Sequence, residues 1–343
     1  MDLAWACSTF LPWIEAEMRS VVCSGSQQLP GHYGMMEYHL GWADASFDPI
    51  SAPSGKRIRP LLCLLACGAV GGDPRMALPA AAGLELLHNF SLIHDDIEDN
   101  SPTRRNRTTV WTLFGMPQAC NAGDGMFSLA HLAFHRLRGT GVPETTVLDA
   151  LELFDETCVA LTEGQYLDMA FESRLDVTVA EYFQMIAAKT GALLAASPQM
   201  GSVVVGAPGE QTKLYRAFGA ALGRAFQLQD DLLGIWGDEA VTGKSAASDI
   251  LSKKKSLPVL TALADSRVGA RLRWRYSAPV TPGDVPDILE LLGQAGAREI
   301  TEQAVRQATA AGHNALGRVR GAGNAEYLAI LGELLDSLVG RRA

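Results

Sequence analysis

An all-α protein is predicted by three features of the sequence. Alanine and leucine are abundant while aromatic residues make up only 7%, a mixture that suits helices better than sheets. From Arg59 onward apolar residues recur at helical spacing, as in Leu84, Leu87, Phe90 and Ile93. Strand-like alternation is scarce. The chain has 343 residues, 48% of them hydrophobic, enough to bury a sizeable core. It shows no repeat, low-complexity tract or long linker, so one structural domain is expected. Residues 1–50 would form an N-terminal helical segment packed on a helical bundle, residues 51–343.

In order along the chain, residues 1–50 read as a short helix, a Gly/Ser/Pro-containing loop near 24–34, and a second segment around 35–42. A helix is expected from Ala80 into the acidic run at 94–99. Further helical stretches are predicted at 147–169, 179–196, 211–235, 257–264, 284–292 and 298–338. Breakers separate the stretches at Pro74, Pro102, Pro117, 139–143, Pro198, 208–209, 237–243 and 279–283.

The bulk numbers narrow the function. A net charge of −9 at pH 7 argues against non-specific nucleic-acid binding. Positive charge is concentrated in GKRIR at 55–59, RRNR at 104–107 and KKK at 253–255, which suggests a small anionic ligand. The six cysteines form no CxxC pair, and Cys63 and Cys67 sit in an apolar run, as core thiols do. A reducing, cytoplasmic compartment is expected. The N-terminus lacks a basic n-region, and the apolar stretches at 61–72 and 191–208 are too short or too interrupted to span a bilayer. A soluble protein without stable membrane insertion is expected.

Two carboxylate clusters carry the chemistry. In HDDIED at 94–99, Asp95 and Asp99 are four apart and share a helix face, with Asp96 and Glu98 directed elsewhere. In FQLQDDLLG at 226–234, Asp230 and Asp231 lie inside an apolar helix, where ionised groups are costly without a partner. Gln227 precedes Asp230 by one turn. Gly234 follows by one turn, where it would leave room for a ligand. Carboxylate oxygens suit a hard ion such as Mg²⁺, which is usually shared with substrate phosphates. Glycoside hydrolysis also uses paired carboxylates, but it wants one acid and one base rather than two acidic clusters with lysines and arginines nearby.

At these residues the chain resembles the trans-type polyprenyl diphosphate synthase family, closest to geranylgeranyl diphosphate synthases. The resemblance runs from about residue 55 to 258. It covers GKRIRP at 55–60, LELLHNFSLIHDDIED at 84–99, RR at 104–105, NAGD at 121–124, EGQYLD at 163–168, KTG at 189–191, FQLQDDLLG at 226–234 and GDEAVTGK at 237–244. It implies an isoprenoid-synthase bundle around a central cavity and a homodimer. The implied reaction joins isopentenyl diphosphate to a dimethylallyl, geranyl or farnesyl diphosphate, releasing diphosphate. Carried over residue by residue, it implies that Asp95, Asp99 and Asp230 hold three Mg²⁺ ions, with Asp96 and Asp231 completing the catalytic pairs. Arg104, Lys189, Lys244 and Lys254 would grip the allylic diphosphate, with the choice among Lys253, Lys254 and Lys255 left open. Lys56, Arg59, His88 and Arg105 would bind isopentenyl diphosphate. Thr190 and Gln227 would line the reacting centre.

The sequence departs from the family pattern at Ser54, at Asn106 (where glycine is usual) and at Gly234. Phe90 and Ser91, five and four residues before Asp95, would set product length. Five residues rise roughly 7.5 Å along a helix. An aromatic at the fifth position alone resembles synthases of the twenty-carbon product. The rival readings are a class I terpene cyclase, a fifteen-carbon farnesyl diphosphate synthase, and a non-catalytic regulatory subunit. The basic set speaks against the cyclase and the intact clusters against the subunit.

Overall fold

A computed structural model describes residues 1–23, 29–237, 247–319 and 324–340. Helix accounts for 78% of it. In chain order the helices are α1 (Leu3–Val22), α2 (Pro30–His39), α3 (Ile58–Val70), α4 (Leu78–Glu98), α5 (Val110–Phe114), α6 (Met116–His135), α7 (Glu144–Glu172), α8 (Val179–Ile186), α9 (Ala192–Val204) and α10 (Gly209–Trp236). They continue with α11 (Ser248–Leu251), α12 (Leu257–Ala264), α13 (Gly269–Tyr276), α14 (Val285–Gln294), α15 (Ala297–Arg318) and α16 (Ala325–Val339). The predicted all-α class holds. One short hairpin, β1 (Thr103–Arg104) with β2 (Arg107–Thr108), was not anticipated.

Two compact units divide the chain. The first comprises Met1–Glu156, Ala196–Tyr215 and Arg320–Leu331; the second comprises Thr157–Ala195, Arg216–Val319 and Gly332–Ala343. In the first unit α4 is central, with α1, α3 and α6 packed along it. The α1 helix starts on an Asp2 cap that accepts from the Trp5 N–H at 2.8 Å. It runs for 20 residues, not the short helix expected, because Ala6, Phe10, Ile14 and Met18 repeat every four residues and are all buried. The α4–α6 contact is close where side chains are missing: a Cβ on Gly83 would meet the Phe134 ring at 2.5 Å, and one on Gly123 would meet His94 at 2.3 Å. The stretch Pro74–Glu98 is long and apolar enough to cross a membrane by length and composition alone, and 67% of its most apolar window is buried inside the protein.

In the second unit α12 packs against α8, α13, α14 and α15. Tyr182, Leu228, Leu232, Ile250, Leu260 and Leu292 belong to the buried cluster around it. The capping box of Thr178 and Glu181 starts α8. Between α8 and α9 the helix widens into one π-helical turn, Ala187–Gly191.

Two expected breaks fall differently. Pro198 lies inside α9 rather than ending it. Around it Ala196, Ser197, Met200 and Gly201 are buried, and a Cβ on Gly201 would sit 1.9 Å from the Cys63 carbonyl, so tertiary packing overrides the lost backbone bond. Pro117 opens α6 in its first turn, where a missing N–H costs nothing. The stretch predicted as one helix over 298–338 is two, α15 and α16.

Candidate active site

The α4 helix brings the first acidic set to its C-terminal turn. Asp96 is 2% exposed, Asp95 is half-buried and Asp99 is exposed. Asp99 caps the helix, its N–H donating to the Asp95 carbonyl at 2.9 Å. Arg104 of the hairpin binds both neighbours: Nη2 donates to Asp95 Oδ2 at 2.9 Å and Nε to Asp96 Oδ1 at 2.7 Å. Burial pushes the Asp96 carboxyl up to about 6, against the opposing pull of Arg104. The hairpin turns through Arg105 and Asn106, at φ 53° and 60°. Two consecutive left-handed residues make the tight turn that fits strand twist. Asparagine tolerates that conformation, so Asn106 keeps the turn that glycine would otherwise supply.

Beside this set, the first unit gathers Arg59, His88 and Arg105. Burial brings the Arg59 guanidinium down to about 10, and Arg105 adds to the effect. Burial also lowers His88 well below the ordinary histidine range, helped by Arg59, Arg105 and Arg104, so His88 is neutral at neutral pH. Lys56 is exposed on the preceding loop. Gly55, at φ 93°, lets Arg105 pass: a Cβ there would lie 2.9 Å from Arg105 Nη2. Two residues that the sequence reading did not single out hold this loop down. Arg57, in the left-handed region at φ 49°, donates from Nη1 to Glu85 Oε1 at 3.0 Å, and both side chains are buried. Glu85 also accepts from Asn89 Nδ2 at 3.1 Å. The signal was present in GKRIR, but a basic run does not reveal which member turns inward.

The second unit builds the other acidic set on α10. Asp231 is 0% exposed. Its Oδ2 accepts from the Tyr182 hydroxyl at 2.5 Å and from the Leu257 N–H at 3.0 Å, and its Oδ1 from Gln227 Nε2 at 3.2 Å. The carboxylate thereby caps the start of α12 from outside that helix. Burial raises the Asp231 carboxyl, while Lys254, Tyr182 and the Leu257 N–H oppose the rise. Asp230, its neighbour, is half-buried. The Thr190 hydroxyl donates to Gln227 Oε1 at 2.9 Å, so Thr190, Gln227 and Asp231 form one chain of bonds.

The three consecutive lysines separate cleanly. Lys254 Nζ lies 3.7 Å from Asp231 and 3.5 Å from Asp249. Burial alone would lower its amine, but Asp231, Asp249 and Asp230 outweigh burial and hold it protonated beyond the ordinary lysine range. Lys253 donates to the Tyr276 carbonyl at 3.3 Å and Lys255 to the Glu172 carbonyl at 2.9 Å. Lys254 is thus the one aimed at the acidic set.

The π-helical turn carries Lys189 and Thr190. Single π turns are rare and frequent at functional sites. Lys189 Nζ is 2.5 Å from Asp168 Oδ2, a carboxylate the motif EGQYLD contained but to which no role was assigned. Gly164 of the same motif lies against the π turn, where a Cβ would come within 2.1 Å of the Lys189 nitrogen. Gly234 does not leave room for a ligand as expected. The Asp249 carboxylate occupies that space, 2.5 Å from where a Cβ would stand. Lys244 lies outside the described residues.

In the first unit Phe90 packs its ring 4.7 Å from His94 and 5.0 Å from Phe127, and Ser91 Oγ donates to the His88 carbonyl at 2.8 Å. Among the described residues no group of three or more His, Cys, Asp or Glu is already gathered closely enough to hold a metal ion. The candidate donors Asp95, Asp99 and Asp230 are all carboxylates, the hard oxygen ligands that Mg²⁺ favours.

Comparison with known proteins agrees with this chemistry. The chain is 40% identical over 291 residues to the (2E,6E)-farnesyl diphosphate synthase of Mycobacterium tuberculosis, covering 83% of this chain and 80% of that one. It is 37% identical over 272 residues to the geranylgeranyl diphosphate synthase of the same organism, covering 78% and 77%. The structure matches that of a polyprenyl synthetase from Streptomyces coelicolor A3(2) with a TM-score of 0.89 and 33% identity, over 98% of this chain and all of the other. The model of the polyprenyl synthetase family matches residues 41–292. On that match the chain belongs to the polyprenyl synthetase family, and its activity is that of a trans-prenyltransferase.

Proposed function

We propose that the enzyme is Mg²⁺-dependent and extends an allylic diphosphate with isopentenyl diphosphate to the twenty-carbon geranylgeranyl diphosphate. The observation that carries the chain length is Phe90. Its ring packs edge-on to His94 and tilted against Phe127, which supports it as a floor, while Ser91 beside it is small and turned back onto its own helix. The relative named for a fifteen-carbon product supports the alternative of a farnesyl diphosphate synthase.

Asp95, Asp99 and Asp230 would hold three Mg²⁺ ions against the allylic diphosphate. Bound there, the ions would supply charge neutralisation as the C–O bond breaks. Arg104, Lys189, Lys244 and Lys254 would add fixed positive charge at the same group. Arg59, Arg105 and Lys56 would hold the diphosphate of isopentenyl diphosphate, with neutral His88 as a hydrogen-bond partner. Holding the two reactants separately sets the double bond for attack on the allylic carbon. The Thr190 hydroxyl and Gln227 amide are directed by Asp231, so they present fixed dipoles to the developing cation. Apolar walls would exclude water that would quench it.

Homodimerisation is supported by exposed apolar residues on one face of α7, where Val159 (58%), Tyr166 (71%) and Met169 (44%) stand out to solvent. The six unbridged thiols support a cytoplasmic location.

One experiment tests the reading. Purified protein is incubated with labelled isopentenyl diphosphate and each allylic primer, with Mg²⁺ and with chelator. Twenty-carbon product only in the presence of Mg²⁺ is expected. Full activity in chelator would overturn the metal assignment, and a fifteen-carbon end product the chain length. Hydrocarbon release from geranylgeranyl diphosphate alone would make it a cyclase. Phe90→Ala should lengthen the products; an unchanged profile removes Phe90 as the floor.

A further inference from the structure

We infer that the second unit carries an accessory site for a prenyl diphosphate, separate from the groups assigned to catalysis. A groove of about 780 Å³ runs between α8–α9, α10 and α15. That volume lies within the range of about 300–1,000 Å³ typical of small-molecule sites. Its walls are mostly alanine, with Ala192, Ala220 and Ala308 on the three sides and Leu228 among them. Methyl walls leave a trough open among the described residues, and they offer a flexible hydrocarbon continuous apolar contact without directional demands.

The same groove is lined by two guanidinium groups, Arg216 and Arg224. They stand eight residues apart on α10, a rise of roughly 12 Å. Arg224 is stacked over the Phe183 ring at 4.2 Å, which fixes its place. Among the described residues no acidic one lines the groove, although the chain as a whole carries −9. Local positive charge beside an apolar trough selects an anion with a greasy tail. A guanidinium such as that of Arg224 suits phosphate oxygens in particular. A prenyl diphosphate is that kind of molecule, and this enzyme releases one at every turnover. Neither Lys189, Thr190, Gln227 nor Asp230 lines the groove, so its occupant need not compete with the reaction.

The test uses the full chain and a non-ionisable probe, geranylgeranyl thiolodiphosphate, followed by calorimetry. Two binding events per chain are expected for the wild type. Arg224→Glu should weaken one event at least about 10-fold, leaving the other event and kcat unchanged. Ala220→Trp, which fills the trough, should abolish the same event and relieve any non-competitive inhibition by product. Ala308→Leu replaces it if the tryptophan variant does not fold. A single event in the wild type overturns the proposal, as do two events that survive both Arg224→Glu and the trough-filling variant. Equal displacement of the probe by a twenty-carbon fatty acid would overturn the diphosphate assignment. A changed sedimentation coefficient in Ala220→Trp would give the groove to a second copy of the chain instead.

Discussion

The two acidic helices repeat one plan with different fastenings. On both α4 and α10 the first aspartate of the pair, Asp95 or Asp230, is half-buried, and the second, Asp96 or Asp231, is sunk into the protein. On α4 the buried member is held by a cation, Arg104, which stands on a hairpin and also grips Asp95. On α10 it is held by a hydroxyl, a backbone N–H and an amide, with Lys254 further off at 3.7 Å. The difference teaches which set can rearrange. Arg104 is itself assigned to substrate, so the α4 set can exchange its partner when a diphosphate arrives. The α10 set is tied to α8 and α12 by the Tyr182 hydroxyl and the Leu257 N–H, neither of which is assigned to substrate.

That contrast can be broken or sharpened by experiment. If the half-buried members do the chemistry, Asp95→Ala and Asp230→Ala should each lower kcat by about 1,000-fold while the circular dichroism spectrum stays unchanged. A small loss at either would end the parallel between the helices. Asp231→Ala strands the Tyr182 hydroxyl, the Leu257 N–H and the Gln227 amide, and should lower unfolding free energy by about 3–5 kcal/mol in urea titration. Asp96→Asn keeps an acceptor for Arg104 and should cost only about 1–2 kcal/mol in the same measurement. Equal losses at Asp96 and Asp231 would erase the distinction between ionic and neutral fastening.

The last effect, read as a slope in pH, concerns His88. Burial lowers its proton affinity in the fold, so the unfolded chain takes up a proton first as pH falls. Stability associated with neutral His88 is therefore full above the ordinary histidine value of about 6.5 and declines below it. Relative to His88→Gln, the wild type should lose up to about 1.4 kcal/mol per pH unit between about pH 6.5 and 5. Parallel pH curves for the two proteins would show that His88 is not held neutral.

Most of the helices and both acidic motifs were legible in the sequence because periodicity and clustered charge are local signals, but Met116–His135 and Gly269–Tyr276 were not anticipated. Leu257–Ala264 was placed to the residue, bounded by Pro258 in its first turn and Asp265 after it. What was not legible depends on partners distant in the chain. Nothing near Gly234 announces Asp249, fifteen residues on, and nothing in KKK says that only the middle amine turns toward carboxylates. Pro198 reads as a stop until the buried surface around it is known. Asn106 looked like a departure, yet its positive φ shows that the backbone, not the residue name, is what the turn requires.

The widened turn at Ala187–Gly191 has a consequence for how this segment can change. It holds one peptide more than a regular coil of the same rise would use, and adjacent side chains inside it reach different helices, Lys189 toward Asp168 on α7 and Thr190 toward Gln227 on α10. Removing a single residue here would let the coil close into ordinary geometry with no gap in its ladder. The same closure would swing one of the two side chains away from its neighbour. A deletion that looks harmless to the fold would thus unhitch the amine from Asp168 or the hydroxyl from Gln227, and length at this point is as much a part of the chemistry as composition.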